Sequence, residues 1–189
     1  MNIDGDHSKS VKHIMKAGIR CFMSEGTGKA LNLYSHRLKI VKAKKPFQVG
    51  TLGIMPFDVN HDASEPLGFL LQSGKDKLLF LTDSFYVKYR FPGLTHIMIE
   101  TNYSKDLLEK NIKSGLVSES LRNRIVKSHF SLNNVKEFLK SNDLSKCKEI
   151  HLIHLSKNNS DPELFKKEIQ GICGVPTFIG GEKGRKSLF

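Results

Sequence analysis

Leu67-Gly68-Phe69-Leu70-Leu71 and Leu78-Leu79-Phe80-Leu81-Thr82-Asp83 decide how this chain reads. Each stretch is a nearly continuous apolar run of strand length, and Gly74 lies at the turn between them. Strands that alternate polar and apolar residues have one wet face, whereas unbroken runs belong to a sheet covered on both faces. The pair is therefore predicted to be a hairpin inside a layered fold. The second strand ends on a carboxylate, Asp83, at the kind of strand end where functional side chains collect.

Working outward, Thr95 to Ile99 reads as another buried strand and Glu149 to His154 as a further one. Gln48 to Val59 reads as two strands or one bent strand, interrupted by Gly50, Gly53 and Pro56. Arg37 to Lys42 alternates like a strand. Between these lie helical segments: Ser8 to Ala17 with Ser8 placed to cap it, Ser104 to Lys113, Ser118 to Lys127, and Ser131 to Lys140. Asp161 to Ile172 is another, with Asp161 as cap and Pro162 in its first turn. Val175 to Ile179 closes the core. Strands and helices alternate throughout, which predicts an α/β layered fold. One domain over 1–180 and a flexible tail over 181–189 are expected.

The chain has 189 residues, and its 30 lysines and arginines against 19 acidic residues give a net charge of +11. That excess favours a polyanionic partner such as nucleic acid or another phosphodiester. It is equally compatible with lysines spread over solvated helix faces, and charge alone does not choose the substrate. No apolar run is long enough to span a membrane, and the polar start, Met1 to His7, is not that of a signal peptide. Three scattered cysteines, Cys21, Cys147 and Cys173, argue against a disulfide framework or a zinc ribbon and suit a reducing cytoplasm.

Ligand-type residues recur at strand and helix junctions: Asp6 and His7 before the first helix, then His61, Asp83, Glu100 and His154 at strand ends. Imidazoles and carboxylates are the usual ligands of zinc, manganese or iron. A lone histidine at a strand end is more often structural, and Asp83 taken alone could cap a turn. The conjunction at successive junctions is what points to a site. Gly26-Thr27-Gly28-Lys29 resembles part of a phosphate loop. A phosphate loop, however, needs glycine where Met23 stands and Ser or Thr where Ala30 stands, so a helix start after Ser24 is expected there.

The order Asp6-His7, His61, Asp83, His154 resembles the motif series of the metallo-β-lactamase superfamily: H-x-H-x-D-H, then His, Asp and His. The resemblance runs from Asp6 to about Ile179. It lies nearest the branch of YycJ/WalJ-type exonucleases and their phage-borne relatives, and also rests on Ile99 to Tyr103, Lys127 to Ser131 and His154 to Asn159. It implies an αββα sandwich lacking its first strands, with an exposed sheet edge and apolar face and a homodimer as one way to cover them. It implies one or two divalent ions, zinc or manganese. Asp83 would bridge them, Asp6, His7 and His154 would complete one position, and His61 would belong to the other. Glu100 and His129 resemble a pair that cooperates in proton transfer to a leaving group.

Asn2 and Asp4 stand where the first two histidines of the motif are expected. Asparagine is a poor ligand, and Asp4 could coordinate only with an adjusted reach. One well-held metal or a weakened pair is therefore expected rather than a normal dinuclear centre. The function implied is a metal-dependent hydrolase of phosphodiesters, with nucleic acid as the partner. The alternative is a catalytically impaired relic of the same fold with a binding role.

Overall fold

The computed structural model describes residues 8–181, so Asn2, Asp4, Asp6 and His7 and the tail beyond 181 lie outside the described residues. Fifteen elements follow one another: α1 (Val11–Lys16), β1 (Cys21–Met23), α2 (Glu25–Ala30), β2 (Leu38–Ile40), β3 (Phe47–Val49), β4 (Leu52–Asp58), β5 (Leu67–Ser73), β6 (Asp76–Leu81), β7 (His96–Glu100), α3 (Lys105–Lys113), α4 (Glu119–Ser128), α5 (Leu132–Lys140), β8 (Glu149–Ile153), α6 (Pro162–Cys173) and β9 (Thr177–Ile179). Seven strands form one sheet in the order β3-β4-β5-β6-β7-β8-β9, and β1 and β2 pair as a small parallel sheet. Strands β3 to β6 are joined antiparallel, whereas β6, β7, β8 and β9 run parallel.

The apolar runs split by register. Leu79, Leu81, Ile97, Ile99, Ile150 and Leu152 are 0% exposed and face α5 and α6, which contribute Leu132, Val135, Leu139, Phe165 and Ile169. Each such side chain gains about 1.5–3 kcal/mol on burial. The neighbouring register row, Phe69, Phe80, Met98, His151 and Phe178, occupies the other face; its four apolar members are half-buried and His151 is buried.

Helix starts follow the capping residues. Ser104, Ser118, Ser131 and Asp161 accept from the backbone N–H groups of Leu107, Leu121, Asn134 and Leu164. The first helix departs from expectation. Its N-cap is Ser10, in helical backbone with no side-chain capping bond, rather than Ser8. Strand β1 was not anticipated, because Cys21-Phe22-Met23 is too short to show a period. It exists through its parallel ladder with β2 and through Cys21 and Met23 packing on Val11, Met15 and Leu33. The small sheet is tied to the large one by stacking of Phe22 on Phe47, ring centroids 5.1 Å apart, and by Lys44 N–H donating to Pro56 O at 2.8 Å.

Two glycines are required where they stand. Gly74 makes the β5–β6 turn with φ +54°, in the left-handed region. Gly68 lies against Phe57, and a Cβ there would sit 2.5 Å from the ring.

Candidate metal centre

Parallel strands β6, β7 and β8 are neighbours, so whatever follows their carboxyl ends is brought side by side. In open α/β sheets that edge is where ligands bind. Asp83 comes two residues after β6, Glu100 ends β7, and His154 comes directly after β8. Asp83 and His154 both adopt left-handed backbone, with φ +50° and +55°. A non-glycine residue held there pays a strain that persists only where the surroundings impose it, and such residues gather at functional sites.

At His154 the strain is imposed by cross-links among three loops. Thr101 N–H donates to Ile153 O, Asn102 N–H to Phe130 O, and Ser156 N–H to Asn102 O. The Asn102 side chain donates to His154 O at 2.9 Å. Tyr103 and Ser131 form an isolated bridge. His129 enters from the other side because α4 ends there: it is the C-cap residue in extended backbone, followed by fully buried Phe130.

Asp83, Glu100, His129 and His154 thereby offer ligand atoms that all lie within 4.8 Å of one another. Both carboxylates are fully buried, and the two imidazoles are partly open to solvent. Glu100 Oε1 accepts from His129 Nδ1 at 2.6 Å and from His154 Nδ1 at 2.8 Å, while Ser84 N–H donates to Glu100 Oε2 at 3.1 Å. Asp83 Oδ1 lies 3.1 Å from His154 Nδ1 and 3.8 Å from His129 Nδ1. The hydrogen bond to Asp83, followed by that to Glu100, pushes the His154 pKa up to about 11. Two adjacent buried carboxylates require a compensating cation. The imidazolium of His154 supplies it here, and a divalent metal would suit the same oxygens, with imidazole nitrogen alongside. The donor set fits a divalent ion.

His61 lies beside this group, its ring centroid 5.6 Å from that of His129, but outside the set of converging ligand atoms. Its Nδ1 accepts from Ala63 N–H at 3.0 Å, and Asp62 Oδ1 is 3.3 Å away. Asp62 is in turn held by Arg124 at 3.2 Å. The expected ligands Asp4, Asp6 and His7 lie outside the described residues. Sequence reading set Glu100 and His129 apart as a proton-transfer pair; their sharing of one oxygen with His154 was not visible there.

The glycine-rich stretch after Met23 is a short helix capped by Ser24, as expected. Gly26 N–H donates to the Glu65 carboxylate at 2.7 Å, so an acid already occupies the place a phosphate would need.

No protein-family profile matches the chain. Among solved structures it resembles the metallo-beta-lactamase fold protein YhfI of Bacillus subtilis, with a TM-score of 0.63 at 11% identity, covering 93% of this chain and 70% of that one. The chain has the metallo-β-lactamase fold. Two curated proteins similar in sequence are Exodeoxyribonuclease YycJ of Bacillus anthracis and Exodeoxyribonuclease WalJ of Streptococcus pneumoniae. The first is 27% identical over 139 residues, 70% of this chain and 51% of that protein. The second is 29% identical over 162 residues, 79% of this chain and 59% of that protein. The chain thus spans between half and three fifths of their length. The metallo-β-lactamase fold accounts for the mixed α/β layering.

Proposed function

We propose that this chain is a metal-dependent hydrolase of phosphodiesters, with nucleic acid as its substrate. The observation that carries the reading is the buried Asp83–Glu100–His129–His154 cluster. Similarity to two proteins named as exodeoxyribonucleases and the charge of +11 support the choice of substrate. Zinc or manganese, one ion or two, is the cofactor proposed. Asp83 would bridge, Asp6, His7 and His154 would complete one position, and His61, with Asp4 at adjusted reach, would serve the weaker one. When bound, such an ion makes water a competent nucleophile at neutral pH and offsets negative charge on the phosphate.

The chain's own residues supply the proton handling. Glu100 Oε1 receives Nδ1–H of His129 at 2.6 Å, which fixes the ring and leaves Nε2 as the atom that exchanges a proton. His129 is the partly exposed member of that pair, so Nε2 is placed to protonate a departing alkoxide while Glu100 stabilises the imidazolium. His154 donates to the same oxygen, so the two rings are positioned by one carboxylate.

Turnover of a generic phosphodiester and of nucleic acid with manganese or zinc, alongside Asp83→Ala, tests this. Activity abolished by the substitution supports the enzyme. Equal background from both proteins sinks it and leaves a binding scaffold of the same fold.

Two accompanying features belong to the same reading. No helix among the described residues is long and apolar enough to cross a membrane, and the three free thiols support a cytoplasmic setting. A homodimer across the half-buried Phe69, Phe80, Met98 and Phe178 row would cover that face, and sedimentation at twice 21.3 kDa is the expected result.

A further inference from the structure

From the geometry beside the metal centre we infer that Phe85 and Tyr86 form a stacking platform for unpaired bases, so that the strand delivered to the site is single-stranded nucleic acid. This rests on the phosphodiesterase reading for its purpose, though not for its test. The chain leaves Asp83 as Ser84-Phe85-Tyr86-Val87-Lys88-Tyr89-Arg90-Phe91, a run in which rings and cations alternate. Packing sorts them. Phe91 is buried against Phe57 and Phe138, Val87 joins the same core, and Tyr89 is half-buried with its hydroxyl bonded to Asp58. Phe85 and Tyr86 instead remain 37% and 53% exposed, beside exposed Lys88 and Arg90. Together they line a groove of about 580 Å³ that also contains Phe130, the neighbour of His129. Two chain connections tie the groove to the site: Phe85 lies two residues after Asp83, and Phe130 directly follows His129.

Exposed rings on a loose loop would mean little; here the backbone is fixed. Phe85 N–H donates to Asn60 O at 3.1 Å, and Asn134 Nδ2 donates to Phe85 O at 2.9 Å. Tyr86 O accepts from Ser84 Oγ at 2.8 Å and from Asn60 Nδ2 at 3.2 Å. A ring held this way loses little freedom on binding. The groove's acid, Glu137, is bonded to Lys140 at 3.1 Å and Lys88 to Asp58 at 3.0 Å, so exposed Arg90 is the cation the groove offers beyond these pairs. Planar rings beside cations are what an unpaired strand uses: bases stack and phosphates follow the charge. A base inside a duplex has no free face to offer, which is why the occupant is a single strand.

The test is fluorescence anisotropy with a short fluorescein-labelled oligothymidylate and an abasic oligomer of the same length. The full chain is used with chelator present, so that nothing is cleaved. Phe85→Ala and Tyr86→Ala should each weaken oligothymidylate binding about tenfold, and Tyr86→Phe should restore it. The abasic oligomer should bind weakly and equally to all variants, and melting curves should show every variant folded. If the wild type does not bind, if the double variant stays within about twofold of it, or if the abasic oligomer falls in parallel, the platform is refuted. Turnover of bis(p-nitrophenyl) phosphate by the wild type reports the phosphodiesterase reading separately. Its failure alongside ring-dependent binding would overturn the enzyme and leave the platform standing.

Discussion

Replacing Glu100 by glutamine keeps its shape and removes its charge, and no orientation of the amide satisfies the site. Glu100 Oε1 accepts from two imidazoles and Oε2 from Ser84 N–H. If the amide oxygen faces the histidines, its NH2 meets the Ser84 N–H; turned round, its NH2 meets two imidazole donors. Breaking a buried pair by removing one partner costs about 3–5 kcal/mol. The imidazoles keep some solvent, with side chains 16% and 25% exposed, which places this case near the lower end, at about 3 kcal/mol. For a chain of this size that corresponds to a fall in melting temperature of about 6–12 °C. The assay is thermal unfolding followed by circular dichroism at neutral pH in chelator, with exposed Glu109→Gln on α3 as a control expected to shift by about 1 °C. A Glu100→Gln protein melting within about 2 °C of the wild type would mean that Glu100 is not the hub that holds His129 and His154.

Protein purified without added metal should carry about one tight equivalent of ion per chain by elemental analysis, and two tight equivalents would contradict the weakened second position. Gly68→Ala should destabilise by about 1–3 kcal/mol, read as a melting temperature several degrees lower, because its Cβ would press on a Phe57 ring already packed against Tyr89 and Phe91. An unchanged melt would show that the ring can retreat. Asp58 is held below its ordinary 3.8, first by the Tyr89 hydroxyl and also by Lys88. Its folded pKa is depressed, so its stabilisation is present above the unfolded value and disappears as pH falls through the folded one. The side chain is 44% exposed, so the effect is about 1 kcal/mol or less. Asp58→Asn should therefore melt lower than wild type at neutral pH, and the two curves should converge as the pH falls through the folded value; a gap persisting in acid would assign the loss to packing instead.

Much of the scaffold was legible because its causes are local. Continuous apolar runs bounded by glycine became β5 and β6, and serine or aspartate ahead of a helical period became the caps of α3 to α6. The short β1 and the shift of the first N-cap to Ser10 were not legible, since three residues carry no period and a cap depends on where the helix is anchored. In the site, Asp83 and His154 could be named from their positions at strand ends.

The sequence by itself determined the element types, their order and the residue kinds at their junctions, because propensity, capping and periodicity act over a few neighbours. Only the tertiary structure decided that β6, β7 and β8 lie side by side in parallel, which draws Asp83, Glu100 and His154 together from 71 positions apart along the chain. It alone placed Glu100 Oε1 between two imidazoles and left His61 beside the cluster but outside its converging ligand atoms. It also decided that Phe91 turns inward while Phe85 and Tyr86 stay at the surface. These outcomes depend on long-range register and on competition for space in the core, and no local stretch of residues encodes either.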